Sequence, residues 1–153
     1  MKPVQIKDQV KDQVGDQVWD QVVERLCALG LSGVEAMSAI QGRAGSTPVQ
    51  NVGAYGQEIA DTLVELEAYD TESSVFVTLG RDDCTFSYRN SIFKNPATRR
   101  HVITSITLRL NKSWMKPPFY ASLASYLTQH TITDYYPNNI RADVVSIRAV
   151  KLQ

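Results

Sequence analysis

Residues 42–48, Gly-Arg-Ala-Gly-Ser-Thr-Pro, combine two features that suit a phosphate. Glycines let backbone N–H groups approach an anion closely, and Ser46 and Thr47 add hydroxyl donors. The segment is neither a GxGxxG turn after a strand nor a Gly-Lys-Ser phosphate loop. By itself its plainer reading is a structural turn. A second cluster lies at residues 86–94, Phe-Ser-Tyr-Arg-Asn-Ser-Ile-Phe-Lys. Arg89, set among aromatic residues, keeps its charge and offers forked donors, which suits a developing oxyanion or enolate. The plainer reading is a surface or salt-bridged arginine. Tyr120 follows Trp114 and Pro117-Pro118, and alone it reads as packing. His101 and His130 have no Cys or Asp at useful spacing and receive no catalytic role. Cys27 and Cys84 lie far apart with no His–Cys cluster, so the expectation is two reduced thiols and no metal site.

The elements that must position these groups follow from periodicity. Residues 16–29 read as a helix with Val18, Val22, Leu26 and Leu29 as its stripe, widened by Trp19 and Val23 and closed by Gly30. Residues 40–56 are too rich in glycine and proline for a regular element. Residues 62–70 and 74–79 form strands joined by a turn at Asp70-Thr71-Glu72-Ser73. Residues 101–110 alternate, with Val102, Thr104, Ile106 and Leu108 on one face and Ile103, Ser105, Thr107 and Arg109 on the other. Helices follow at 119–128, on Phe119, Leu123 and Leu127, and at 137–150, on Ile140, Val144 and Ile147. This order predicts an α+β fold with antiparallel strands and flanking helices.

The remainder is a repeat. The unit Asp-Gln-Val-x recurs at Asp8, Asp12, Asp16 and Asp20. On a helix a period of four drifts about 40° per repeat, so the valines hold no face. Residues 1–14 are expected to be low-complexity filler, a frayed helix or a partner-docking helix, with the folded domain at 15–153. The whole chain has 153 residues, enough for one domain, and its 16 basic residues balance 16 acidic ones. A formal net charge of zero gives no electrostatic reason to expect nucleic acid or an anionic membrane as partner. With no long apolar run, the default location is cytoplasmic.

Taken together, the motifs resemble one family. GRAGSTPVQNVGAYGQE at 42–58 is similar to the flavin-contacting signature of UDP-N-acetylenolpyruvoylglucosamine reductases, PGxxGxxPxQNxGAYGxE. SYRNSIFK at 87–94 resembles that family's GYRDSxFK, Trp114 to Leu123 its WxxxxxYxxL, and RAVKL at 148–152 its RxxKLP. The resemblance implies a middle FAD-binding, PCMH-like subdomain, with FAD reduced by NADPH. It implies conversion of UDP-N-acetylglucosamine enolpyruvate to UDP-N-acetylmuramate in peptidoglycan synthesis. By motif position it makes Arg89 the enolate-stabilising arginine, sets Tyr120 against the substrate and lets Lys151 reach its phosphates. Ile40, Gly45, Ser46, Thr47, Val49, Gly53 and Ile103 match flavin-lining positions. Gln41 stands where the family has proline, Ser87 where it has glycine and Asn90 where it has aspartate. The GxGSN-type loop, the proton-donating serine and the glutamate of the family have no counterpart. The expectation is therefore a truncated member, inactive alone, with self-association through an exposed interdomain face. The alternatives are a non-catalytic UDP-sugar or protein-binding module, or a gene remnant.

Overall fold

The computed structural model describes residues 3–7 and 17–152, with residues 3–7 and Thr98 known by their backbone alone. The elements run β1 (Pro3–Lys7), α1 (Trp19–Ala28), β2 (Gly53–Ala54), β3 (Gln57–Glu58), α2 (Ile59–Thr62), β4 (Leu63–Asp70), β5 (Val75–Gly80), β6 (His101–Arg109), α3 (Ala121–Gln129) and α4 (Pro137–Lys151). β1, β6, β4 and β5 form one antiparallel sheet in that order. The fold is α+β, as expected.

Helix α1 begins three residues later than its periodicity suggests. Val18 stays extended and bridges Arg43, while the Trp19 N–H donates to the Gly42 carbonyl at 3.0 Å. The indole of Trp19 is fully buried and donates to the Met37 carbonyl at 3.1 Å. The helix ends in a Schellman turn. Gly30 takes φ +73°, its N–H reaches the Cys27 carbonyl, and the Leu31 N–H reaches the Leu26 carbonyl. That turn carries Leu29 out of the expected stripe, and it is 72% exposed. The buried face is instead Trp19, Val22, Val23, Leu26 and Cys27.

The alternation expected along β6 also breaks. Ile103 is buried with Ile106 and Leu108, while Val102 is half exposed. Glu67 pairs with Ser105 and Ala68 with Ile103, which leaves Thr104 as the extra residue of a bulge. The Thr104 hydroxyl closes the gap by donating to the Glu67 carbonyl at 3.0 Å. A bulge shifts the period by one, so residues 101–103 change face relative to 105–108.

Residues 3–7 are a strand, not a frayed helix. Val4 pairs with Leu108 and Ile6 with Ile106, the two β6 residues most deeply buried. Within the first 16 residues only Val4 and Ile6 are apolar residues two apart. Every repeat unit sets an aspartate two places from its valine. A four-residue slip would place Asp8 opposite Leu108, so the register is specified. Residues 8–14 of the low-complexity stretch lie outside the described residues.

Two buried clusters result. One joins α1 to the inner face of the sheet, around Trp19, Ile59, Leu66, Ile106 and Leu108. The other lies between α3 and α4, around Leu123, Leu127, Ile140, Val144 and Tyr55. Asp20 on α1 ties them together. It accepts from Arg141 of α4 at 2.6 and 3.2 Å and from the Ala39 N–H at 2.7 Å. The Arg141 hydrogen bonds hold the Asp20 carboxyl below its usual range against a smaller opposing effect of burial. Burial pushes the Cys27 thiol up to about 12 and the Cys84 thiol to about 11, and both are free. Among the described residues no helix is long and apolar enough to cross a membrane.

Candidate functional site

The glycine-rich segment folds tightly. Residues Ala44–Ser46 make a 3₁₀ turn that lies against β6. The Ala44 N–H donates to the Gln17 carbonyl, Ser46 to Arg43, Thr47 to Ala44 and Val49 to Ser46. Both hydroxyls are engaged in the same turn, Ser46 donating to the Arg43 carbonyl and Thr47 to the Ala44 carbonyl, each at 2.7 Å. The expectation that these hydroxyls stand ready as phosphate donors is corrected: their protons stabilise the turn. Ile40 and Val49, both half-buried, join the cluster that holds buried Ile103. The turn's main-chain donors are largely consumed, which argues against a phosphate cradle here.

Beyond Val49 the chain is stitched to the arginine segment through alternate carbonyls. The Ser91 hydroxyl donates to the Val49 carbonyl at 2.6 Å. The Arg89 guanidinium donates to the Asn51 carbonyl at 3.3 Å and to the Gly53 carbonyl at 2.8 Å. In return the Asn51 side chain donates to the Ser87 carbonyl at 3.1 Å and accepts from the Ala60 N–H at 3.0 Å. Asn51 is 1% exposed and all of this is internal. Gly53 has no room for a side chain. An added Cβ would lie 2.6 Å from the Gln57 carbonyl oxygen and 2.8 Å from the Arg89 guanidinium. The two motifs share a common wall, and glycine is required where they meet.

Arg89 sits in a tight turn closed by paired Ser87 and Asn90 backbone hydrogen bonds at 3.1 Å, with φ +50°. That region costs a non-glycine residue about 1 kcal/mol. The strain of this turn falls on the arginine itself, not on Ser87. Backbone carbonyls, not the side chain at Asn90, orient Arg89. Two of its five N–H groups are used on those carbonyls, and no carboxylate pairs with it among the described residues. The Lys94 ammonium donates to its carbonyl at 3.1 Å, and its guanidinium lies 5.0 Å from the Tyr88 ring.

Strand β2 lies at the end of the segment read as loop and forms a ribbon with β3 just beyond it. The ribbon's two-residue turn, Tyr55-Gly56, has φ +49° and +84°, the primed geometry of tight hairpins. The turn carries Tyr55 into the helical cluster, 9% exposed. Its ring meets Tyr120 edge-on at 6.1 Å, and the Lys151 ammonium lies 5.5 Å from its centroid. Tyr120 precedes α3 and Lys151 ends α4, so one strained tyrosine gathers groups from both helices. Arg89, Tyr88, Tyr120 and Tyr55 border one cleft of about 290 Å³, together with Glu58 and Asp61. A larger, apolar hollow of about 460 Å³ near Phe119 and Ile132 shares no residue with it and is lined by no charged group.

The structure thus brings Arg89, Gly53 and Tyr120 to one cleft with Lys151 beside it. Ile40, Gly45, Ser46, Thr47, Val49 and Ile103 form a separate wall against β6. Sequence reasoning missed Asn51, Tyr55 and Ser91. The signals were present in Gln50-Asn51 and Tyr55-Gly56, whose asparagine and glycine suit positive φ. Among the described residues no group of three or more His, Cys, Asp or Glu is placed to hold a metal ion.

Comparison with known proteins sharpens this geometry. No family model matches the chain. The UDP-N-acetylenolpyruvoylglucosamine reductase of Ralstonia nicotianae is 42% identical over 130 residues, covering 85% of this chain and 38% of that protein. The enzyme of the same name from Thermobifida fusca is 42% identical over 130 residues, with 84% and 36% covered. The crystal structure of UDP-N-acetylenolpyruvylglucosamine reductase from Thermus caldophilus superposes with a TM-score of 0.61 at 23% identity, covering 91% of this chain and 42% of that one; it supports the fold. The chain spans somewhat over a third of the length of the curated relatives it matches. Over that span, the chain belongs to the UDP-N-acetylenolpyruvoylglucosamine reductase family.

Proposed function

We propose that this chain supplies the arginine-bearing part of a reductase site that acts on UDP-N-acetylglucosamine enolpyruvate in cytoplasmic peptidoglycan synthesis. One observation carries the reading. The Arg89 guanidinium is anchored by two neutral carbonyls and opens, without a carboxylate partner, on a cleft it shares with Tyr120. A cation fixed by neutral acceptors retains its full charge for a ligand. When hydride adds to an enolpyruvyl double bond, negative charge moves toward the carboxylate, and a preorganised guanidinium stabilises that charge. Tyr120 lies against the substrate in this reading, and Lys151 reaches its diphosphate. Ile40, Val49 and Ile103, with the main chain at Gly45, Ser46, Thr47 and Gly53, form the wall for a flavin ring. FAD, reduced by NADPH, supplies the hydride when bound.

These 153 residues taken alone are expected to bind the nucleotide sugar but not to turn over. The tight Ala44–Val49 turn offers the flavin few phosphate donors, so FAD binding should be weak. The same contrast favours a second reading, a UDP-sugar-binding module without catalysis. Calorimetry with UDP-N-acetylglucosamine enolpyruvate, whose carboxylate is the group Arg89 would meet, on the chain and on Arg89→Met separates the possibilities. Binding that Arg89→Met weakens at least about tenfold supports the cleft, a change of about 1.4 kcal/mol. Absence of binding by the unaltered chain removes both readings. NADPH oxidation on adding FAD and the enolpyruvyl substrate would show that the chain is a working reductase by itself.

A further inference from the structure

We propose that a second copy of this chain docks along β5, extending the sheet across a twofold axis at Val77. The sheet has two edges, β1 and β5, neither with a neighbour beyond it among the described residues, and β1 carries Pro3 and Lys7 while β5 carries no such guard. Edge strands are normally guarded by charge, proline or a bulge. β5, Val-Phe-Val-Thr-Leu-Gly, has no charged residue and no proline. The register shifts of the sheet lie between β4 and β6, not between β4 and β5.

The hydrogen-bonding geometry says which groups are open. The Arg81 N–H continues the ladder to the Val64 carbonyl, while the Gly80 N–H turns away to the Asp83 carboxylate at 2.8 Å. By alternation Val75, Val77 and Leu79 face β4, and Phe76 and Thr78 turn their N–H and C=O groups outward. An edge with two open residues flanking one central residue is self-complementary. Antiparallel pairing of Phe76 with Thr78 of the partner subunit, and the reverse, closes four hydrogen bonds about Val77. This is the isologous contact that a twofold axis requires.

Side chains and charge agree. Phe76 is 64% exposed, Tyr69 packs edge-on against it at 5.3 Å, and Val102 pairs with Tyr69 on the next strand. The three make an apolar row across the outer face, which the added strand would lengthen. In the same register Arg81, which already pairs with Asp82, falls beside the turn that carries Glu72 of the partner subunit. Within each copy Glu72 already pairs with Arg100, so the contact would join two existing ion pairs. The Arg81 and Glu72 side chains are more than half exposed. A formal net charge of zero means no long-range repulsion between copies. The self-association expected from the sequence at an interdomain face is thereby moved to the sheet edge, and it does not depend on any ligand.

Sedimentation velocity from about 1 to about 200 µM tests the proposal, since a dimer is populated by mass action. The expected result is a monomer converting to dimer, with no larger species. Thr78→Pro removes an outward N–H and leaves the ladder to β4 intact; Phe76→Lys places charge on the contact. Each is expected to weaken the dimer at least about tenfold. Amide exchange at Phe76 and Thr78 should slow as concentration rises. If Thr78→Pro disturbs the circular dichroism, Phe76→Lys and the amide exchange decide. A chain that stays monomeric throughout, a dimer untouched by Phe76→Lys, or open-ended polymers would each overturn it.

Discussion

The two walls of the site are built by opposite means. The loop wall spends its polar groups on itself: hydroxyls and N–H groups of residues 44–49 close one turn against β6. The arginine wall spends carbonyls instead. Those of Val49, Asn51 and Gly53 accept from Ser91 and Arg89 and leave a cation facing the cleft. A tight turn makes a good surface for a flat ring and a poor one for an anion. Neutral anchoring of a guanidinium does the reverse. Three of the non-glycine residues with positive φ, Asn51, Tyr55 and Arg89, belong to the second wall, whereas Ala39 stands at the entry to the first and Ser74, Thr85 and Thr131 lie in other turns. Strain persists where surrounding contacts over-determine the backbone, and it clusters at ligand sites.

Asn51 is the point at which the comparison breaks most easily, because both walls meet there. Asn51→Ala strands the Ala60 N–H and frees the Ser87 carbonyl, with an expected loss of about 3 kcal/mol in denaturant unfolding. Arg89→Lys keeps charge but cannot bridge two carbonyls. It should cost about 1–2 kcal/mol of stability and weaken binding of UDP-N-acetylglucosamine enolpyruvate together. A change in only one of the two would separate anchoring from ligand binding. Asp20 sets how firmly the walls are held, since it grips Ala39 at the loop entry and Arg141 on the helix that ends in Lys151. Asp20→Asn should cost about 1–2 kcal/mol at neutral pH. Its folded pKa is lowered, so its contribution is present above the unfolded value of about 3.9 and is lost as pH falls further. Thermal midpoints from pH 6 down to pH 3 should fall for the native chain and fall less for Asp20→Asn. Asp70, held well below the usual carboxylate range by Arg100, adds its own loss at still lower pH. The smallest effect belongs to the loop wall: Ser46→Ala, at an exposed hydroxyl, should shift stability by under about 0.5 kcal/mol. It should also leave weak FAD binding unchanged by fluorescence. A clear loss of FAD binding would show that the hydroxyl still serves a ligand.

Much of the architecture was readable from periodicity. Ile140, Val144 and Ile147 mark the buried face of α4, and the turn after Asp70 marks the β4–β5 hairpin. Of the glycine-rich segment, the end at Gly53–Gly56 lines the cleft with Arg89, while residues 44–49 lie apart from it. What escaped depends on contacts that no local pattern encodes. The bulge at Thr104 arises from pairing with Glu67, 37 residues away, and it reversed the expected face of Ile103. Leu29 left its stripe because a Schellman turn redirected the chain one residue early. Asn51 looked like a loop polar residue, and its three partners come from residues 9 to 38 positions distant. Tyr55 was lost at the end of a stretch of breakers that turned out to open a hairpin.

The pairing of Val4 and Ile6 with β6 has a further consequence for how this chain can vary. The strand is anchored by residues that precede the tandem units, and α1 takes in the last of them, at Asp20, so the units at Asp8 and Asp12 lie between the two. Whole units of four could therefore be gained or lost as a spacer of adjustable length, with both anchors keeping their own addresses. Length variants among close relatives should differ there in multiples of four while preserving the Val-x-Ile pair.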